Sequence, residues 1–348
     1  MRVTLKDVAL RAGVAKSTVS FVLNNSNSVA AKTRRRVLKA IKDLEYSPCQ
    51  VASRLGKRQF ESSAMRRLAF ISCGIDSNKN AYFGRILNGV TNEARKTSYS
   101  VSYVCTNIGD EYPADIAGVN HVSGVILTGR PPHKYIEYLN GLKIPFVLSD
   151  YQFDDIECSW VRPDNQRGIY DIVEYILKLG HKKILFINGN IHPDFLERET
   201  YLKSLSEKLG FEVDVLNIEH INANLLSAKL KKFKASAIMA GCDHIAMSVA
   251  QMLAKLNLKF PEDISLTGFD GLLEGMFMTP SLTTVSIELE AIGRLSTKIL
   301  IDMIEQRSSI STSRIPAKLI IRESCRDIHA AKVDCKKKKK NLREVEVV

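Results

Sequence analysis

At 348 residues, 45% hydrophobic and 25% charged, the chain has an ordinary globular composition, with room for a small module beside a larger domain. No run of 18 or more apolar residues occurs, which excludes a membrane-spanning helix. Met1–Asp7 lacks the apolar character of a secretion signal, so a cytoplasmic location is expected. Seven scattered cysteines without a C-x-x-C pair fit reduced thiols better than a disulfide framework.

The net charge of +12 is unevenly spread. Residues 1–60 hold 13 Lys/Arg against 3 Asp/Glu, and residues 326–348 hold 8 against 4, leaving −2 for the 265 residues between. Such a concentrated basic block suggests a polyanion, nucleic acid first, with a solvated basic face as the plainer alternative.

Taken in order, Thr4 and Asp7 have capping-box spacing, and Leu5, Val8, Ala9 and Ala12 form one apolar helical face. Gly13 ends that helix. In a second helix Val19, Val22 and Leu23 point inward, leaving Lys16, Ser17, Ser20 and Phe21 outside. This is the helix-turn-helix pattern, whose second helix enters the major groove. A third helix is expected from Ala31 to Glu45, burying Val37, Ala40, Ile41 and Leu44. Its outer Lys32, Arg34, Arg35, Arg36, Lys39 and Lys42 suit phosphates, which give affinity but carry no sequence information. Ser47-Pro48 opens a further short helix to Leu55, stopped at Gly56; a plain linker is the alternative.

Beyond residue 60 short apolar runs alternate with amphipathic stretches. Strands are expected at Leu68–Ile71, Gly124–Leu127, Pro145–Leu148, Ile184–Ile187, Ala237–Met239 and Ile264–Leu266. Helices are expected around 83–97, 166–179, 200–209, 243–256 and 288–306. Two tandem series of this kind predict parallel sheets in two lobes, with a ligand cleft at the carboxyl ends of the strands. There is no G-x-x-x-x-G-K-[ST], G-x-G-x-x-G, G-x-S-x-G or H-E-x-x-H, and Cys242-Asp243-His244 is too compact to hold a metal alone. Neither an enzyme nor a bound metal or cofactor is expected.

The stretches Val3–Ala9, Ala12–Asn24, Val37–Pro48 and Val51–Leu55 resemble the headpiece of the lactose/galactose repressor (LacI/GalR) family, and the resemblance continues to about Cys325. It implies an all-α helix-turn-helix headpiece with hinge helix over residues 1–60. An α/β, two-lobed, periplasmic-binding-protein-like effector and dimerisation domain with parallel sheets would span 61–325. The chain would cross between lobes near residues 162, 288 and 314. A basic tail without heptads, 326–348 with Lys336–Lys340, would be disordered. Carried over by position, Lys16, Ser17 and Phe21 read base edges, while Thr18, Ser20 and Asn24 hold the backbone. Lys16 can donate to guanine O6/N7 and Phe21 can pack on a thymine methyl. Leu55 matches the residue that wedges into the central minor-groove step.

For the effector the resemblance points to the aromatic pair Tyr82-Phe83, to Thr128 and Asp150 at strand ends, and to Asp164, Asp243, Asp270 and an arginine. Carboxylates accept and arginine donates the hydrogen bonds that hold a polyol. Asp243 and Asp164 could equally be structural. Counting back three residues from Thr200-Tyr201, where the family has its arginine, lands on Glu197, with Arg198 one residue later. Arg198 is favoured, and Glu197 at the cleft would instead suit a cationic or hydroxyl-rich ligand. Other departures are Ala30 in place of a hydroxyl N-cap, Gly56 in place of a basic residue, and a short Thr106–Val122 segment. The expected protein is a sequence-specific transcriptional regulator, in the first place a repressor, binding a pseudo-palindromic double-stranded DNA operator as a homodimer. A sugar or sugar derivative would control it. A solute-binding or transport protein sharing the two-lobed fold is the alternative. Effector identity, inducer or corepressor action, and dimer or tetramer stay open.

Overall fold

The computed structural model describes residues 5–23, 30–44, 66–74, 81–107, 122–189 and 192–329. The chain divides into two compact units, Met1–Ala64 and Met65–Val348. The expected capping residue Thr4, the hinge from Ser47 to Gly56 and the Lys336–Lys340 tail lie outside the described residues. So does most of the short Thr106–Val122 segment.

The first unit contains α1 (Leu5–Ala12), α2 (Lys16–Leu23) and α3 (Ala31–Asp43). Val8, Ala9, Ala12, Val19, Val22, Val37 and Ala40 form its core, with Ile41 and Leu44 packed against it. That is the apolar stripe expected from helical spacing. Gly13 (φ +61°) turns the chain between α1 and α2. Its N–H donates to the Leu10 carbonyl (3.2 Å) and the Val14 N–H to the Ala9 carbonyl (3.0 Å). This pair of bonds closes a helix with a left-handed residue, which favours glycine. The third helix stops at Asp43, two residues short of expectation, with Arg11 3.7 Å from the Asp43 carboxylate.

The second unit begins with β1 (Arg66–Cys73), α4 (Ala81–Ala94), β2 (Tyr99–Thr106), β3 (Gly124–Gly129), α5 (His133–Gly141), β4 (Phe146–Ser149) and β5 (Ser159–Pro163). It continues through α6 (Asn165–Lys178), β6 (Lys183–Asn188), α7 (Pro193–Leu209), β7 (Glu212–Asn217), α8 (Ala223–Phe233), β8 (Ala237–Ala240) and α9 (Asp243–Lys255). The last elements are β9 (Ser265–Thr267), α10 (Leu273–Met276), β10 (Thr284–Ile287), α11 (Leu289–Ile304), β11 (Thr312–Ile315) and β12 (Ala317–Ile320). The first lobe is a six-stranded parallel sheet in the order β11-β5-β4-β3-β1-β2. The second lobe is a four-stranded parallel sheet, β7-β6-β8-β9, flanked by the antiparallel pair β10-β12.

Both sheets are covered on two faces, which is why β1, β3, β6 and β8 read as unbroken apolar runs rather than alternating ones. Tyr135, Ile136 and Leu139 of α5 pack on Ala69, Ile71 and Leu127. In the second lobe Ala246, Val249 and Leu253 of α9 pack on Leu185, Ile187 and Ile238. The opposite faces merge in one large cluster that includes Phe70, Ile126, Ile172, Phe186 and Leu202.

The chain passes between lobes between Pro163 and Asn165, between Ile287 and Leu289, and between Ile315 and Ala317. These crossings fall close to the expected residues 162, 288 and 314. Only Pro316 separates β11 from β12, and the Asp164 N–H donates to the Ile315 carbonyl (2.9 Å), tying two crossings together. Directly after the middle crossing, α11 packs backbone to backbone on α4. A Cβ on Gly293 would lie 2.1 Å from the Ile86 carbonyl oxygen, and one on Gly89 would lie 2.1 Å from that of Glu290. Arg85 clamps the same contact with two hydrogen bonds to Glu290 (2.9 and 2.8 Å). At its end the second lobe holds the chain past Cys325: Arg326 N–H donates to Ser265 Oγ (3.0 Å) and Ile328 N–H to the Leu179 carbonyl (3.0 Å).

Candidate effector site and DNA-binding face

On the small unit, Lys16 and Ser17 are exposed at the first two positions of α2, with Thr18 half-buried behind them. Ser20 and Phe21 lie on α2 but their side chains, like Asn24 and Leu55 altogether, fall outside the described residues. Arg35 is exposed on α3. Arg36, expected among the outward phosphate contacts, has another partner. Its guanidinium donates to the carbonyls of Ala12 (2.6 Å) and Gly13 (3.2 Å), closing the C-terminal end of α1. A cation there satisfies carbonyls that no helical N–H can reach.

In the large unit a cavity of about 210 Å³ is walled by both lobes. From the first lobe come Tyr82 and Phe83, in the first turn of α4 after β1, and Asp150, just past β4. The two rings meet edge to face with centroids 5.1 Å apart. The Tyr82 hydroxyl donates to the Asp150 carboxylate (2.8 Å). Asp150 takes the left-handed conformation (φ +62°), held by its N–H donating to the Val161 carbonyl (2.8 Å). Non-glycine residues rarely adopt this backbone, and when they do it is often at a site.

From the second lobe come His192, Asp194, Phe195 and Arg198, with Cys242, His244 and Asp270. Helix α7 starts at Pro193, seven residues before the expected 200, because His192 caps it and proline suits the first helical position. The longer helix settles the register. Arg198 is buried and donates to Asn165 Oδ1 (2.8 Å) and the Gly241 carbonyl (2.6 Å); its guanidinium lies 3.8 Å from the Phe269 ring centre and 3.4 Å from the Asp270 carboxylate. Glu197 turns the other way, accepting from Arg162 (2.7 Å), Asn165 (2.9 Å) and Arg314 (2.9 Å). It lines a larger, open groove of about 520 Å³ beside the crossings.

Three expected effector residues are placed away from the cavity lining. Thr128 is fully buried in β3 with no hydrogen-bond partner for its hydroxyl. Asp164 caps α6, accepting from the Arg167 N–H (3.0 Å). Asp243 is the first residue of α9, and its carboxylate accepts from the Leu272 N–H (2.7 Å) and the Thr284 hydroxyl (2.5 Å). It pins the loop that carries Asp270. Burial pushes the Asp243 carboxyl up to about 6 against those two hydrogen bonds.

His192, Asp194, Phe195, Cys242, His244 and, behind them, Arg162 were not among the expected contacts. Asp194 and Arg162 form an ion pair with both side chains 5% exposed. Burial would raise the Asp194 carboxyl, but His192, Arg162 and Arg198 outweigh it and hold it below the usual range. Asp150 and Asp270 go the other way. Burial pushes both well above the carboxylate range, reinforced at Asp150 by Asp194 and resisted at Asp270 by Arg198. Arg162 did carry a signal: it is a lone charge in the buried middle of β5. Among the described residues no group of three or more His, Cys, Asp or Glu is placed to hold a metal ion, and no helix is long and apolar enough to cross a membrane.

Residues 4–49 match the family described as bacterial regulatory proteins, lacI family, and residues 173–325 match the periplasmic binding protein-like domain. The ribose operon repressor of Halalkalibacterium halodurans is 30% identical over 334 residues, covering 92% of this chain and 96% of its own. The NTD biosynthesis operon regulator NtdR of Bacillus subtilis is 28% identical over 335 residues, covering 92% and 99%. The crystal structure of the Lac repressor dimer bound to operator and the anti-inducer ONPF superposes with a TM-score of 0.67 at 21% identity, covering 94% of this chain and 100% of that one. The helix-turn-helix unit, the two-lobed unit and these likenesses agree: the chain belongs to the lacI family of bacterial regulatory proteins.

Proposed function

We propose that the chain is a transcriptional repressor that binds a pseudo-palindromic operator as a homodimer and responds to a small hydroxyl-bearing effector in the cavity between its lobes. The observation that carries this is the two-sided cavity: Tyr82 and Asp150 reach it from the first lobe, Arg198 and Asp270 from the second. A ligand held by both walls favours one lobe arrangement over another, which is the differential affinity a switch requires. Lys16 and Ser17 supply base-edge contacts and Arg35 a phosphate contact. Thr18, Ser20, Phe21, Asn24 and the Leu55 wedge complete the DNA-binding set assigned from the family pattern. Exposed Leu273, Met276, Phe277 and Ile321 give the second lobe apolar surface suited to a partner subunit. The protein works beside DNA in the cytoplasm and binds rather than transforms its ligand.

A mobility-shift titration on the DNA upstream of its own gene, with and without sugars, tests this. Sequence-selective retardation that a sugar changes, and that Arg198→Ala renders insensitive to that sugar, is the expected result. Retardation equal on random DNA would overturn sequence-specific repression, and sugar binding with no retardation of any DNA would favour a solute-binding protein.

A further inference from the structure

The charges around the cavity constrain what its ligand carries. We propose that the effector is a cationic polyol of monosaccharide size, an amino sugar or aminocyclitol, whose ammonium group sits between Asp150 and Asp270. This rests on the cavity being the effector site.

Asp150, Asp194 and Asp270 are 2%, 3% and 5% exposed, and all three line the cavity. Two guanidiniums face these three carboxylates, Arg162 paired with Asp194 and Arg198 with Asp270, so the set is one positive charge short. Arg162 lies behind Asp194 and is committed to it, to Glu197 and to Gln152 (2.6 Å). Arg198 is fixed against the second-lobe wall by Asn165, the Gly241 carbonyl and the Phe269 ring. It approaches Asp270 no closer than 3.4 Å, and Asp270 Oδ1 has no hydrogen-bond partner. The Asp150 carboxylate accepts from the Tyr82 hydroxyl, and no cation among the described residues pairs with it.

A buried carboxylate without a counter-charge is costly, and the unliganded protein answers by holding a proton. The raised Asp150 and Asp270 carboxyls fit that account. A neutral sugar leaves the imbalance in place. An ammonium replaces the proton and pairs with both carboxylates in a cavity also lined by the Tyr82 and Phe83 rings.

The rest of the lining suits hydroxyls. Nε2 of His192 carries a proton both in the charged ring and in the neutral ring whose Nδ1 accepts from the Asp194 N–H (3.3 Å), and it is buried and without a partner. That N–H offers a hydrogen bond to a hydroxyl or ring oxygen. The 210 Å³ volume falls below the roughly 300–1,000 Å³ of drug-sized pockets, which limits the ligand to about one ring.

The test is calorimetry and thermal shift on the full chain with glucosamine, galactosamine and mannosamine, each beside its neutral parent and its N-acetyl form. At least one amine should bind ten-fold or more tighter than both neutral forms. Asp150→Asn should bring that ratio close to one. A neutral sugar that binds as tightly as its amine, with the ratio unmoved in Asp150→Asn, overturns the amine proposal and leaves the effector site standing. If none of the nine compounds binds, the amine proposal falls; if the mobility-shift titration also shows no sugar response, the effector-site assignment falls with it.

Discussion

The Arg162 guanidinium and the Asp194 carboxylate form a buried ion pair that joins the first crossing strand to the helix lining the cavity. One carboxylate therefore faces both the ligand space and the connection between lobes. Removing one member of a buried pair leaves the other uncompensated, which costs about 3–5 kcal/mol. Asp194→Ala is expected at the lower end, about 3 kcal/mol, because Glu197 and Gln152 still hold Arg162. Because the Asp194 carboxyl is held below its unfolded value, this stability is fully present at neutral pH. It is lost as pH falls from near 4 through the depressed folded value. Urea unfolding checks it, and an unchanged midpoint would show the pair to be idle.

Asp150→Asn should act in the opposite direction on the unliganded protein. A carboxyl raised by burial binds its proton more tightly folded than unfolded, so stability declines as pH rises between the two values. Asparagine removes that loss, still accepts from the Tyr82 hydroxyl, and tolerates the left-handed backbone. A gain of about 0.5–2 kcal/mol at pH 7 is expected, with a flatter stability profile from pH 5 to 7.5. Equal slopes in the two proteins would refute it.

Three basic residues of the small unit should separate by role. Lys16→Ala is expected to weaken the operator more than random DNA. Arg35→Ala should weaken both alike and lower the salt slope by about 0.9. Arg36→Ala should leave that slope almost unchanged and cost the headpiece about 1 kcal/mol, since its bonds are to the Ala12 and Gly13 carbonyls. Salt-dependent binding isotherms with thermal melts distinguish the three.

For Leu55, substitution by alanine should reduce operator affinity and bend angle while random-DNA binding is retained. Circular-permutation gels read the bend, and an unaltered angle would rule out a wedge.

Gly293→Ala should cost about 1–3 kcal/mol, because its Cβ would meet backbone rather than a movable side chain. Gly141→Ala is the control. A Cβ there meets nothing within 4 Å, so no comparable loss is expected. Effector affinity should fall in the first variant and not the second, since α4 carries Tyr82 and Phe83.

The sheets were legible because strands covered on both faces give plain apolar runs: β1, β3, β4, β6, β8 and β9 all stand near their expected positions. The edge strands β2 and β7 were not. In β2 the pattern Tyr99, Val101, Tyr103 is interleaved with Ser100 and Ser102, and in β7 every residue after Glu212 is only half-buried. Helix α8 buries Leu226 alone, too little for an apolar stripe to stand out. The first turns of α7 were hidden for a related reason. Asp194 and Arg198 are the buried residues there, and burial of charge inverts the rule by which a helix face is found. Family position located Tyr82, Phe83, Asp150, Arg198 and Asp270 at the cavity. It could not reveal Asp194 or His192, whose place follows from where α7 begins.

Proline fixes its own φ near −65°, and Pro316 is the single residue between β11 and β12. One of the three inter-lobe connections therefore has almost no torsional slack, and its neighbour is latched to it by the Asp164–Ile315 hydrogen bond. Large clamshell opening needs hinges that can each absorb tens of degrees. At Pro316 only ψ is free to turn, so this connection can absorb less rotation of one lobe against the other than its two neighbours.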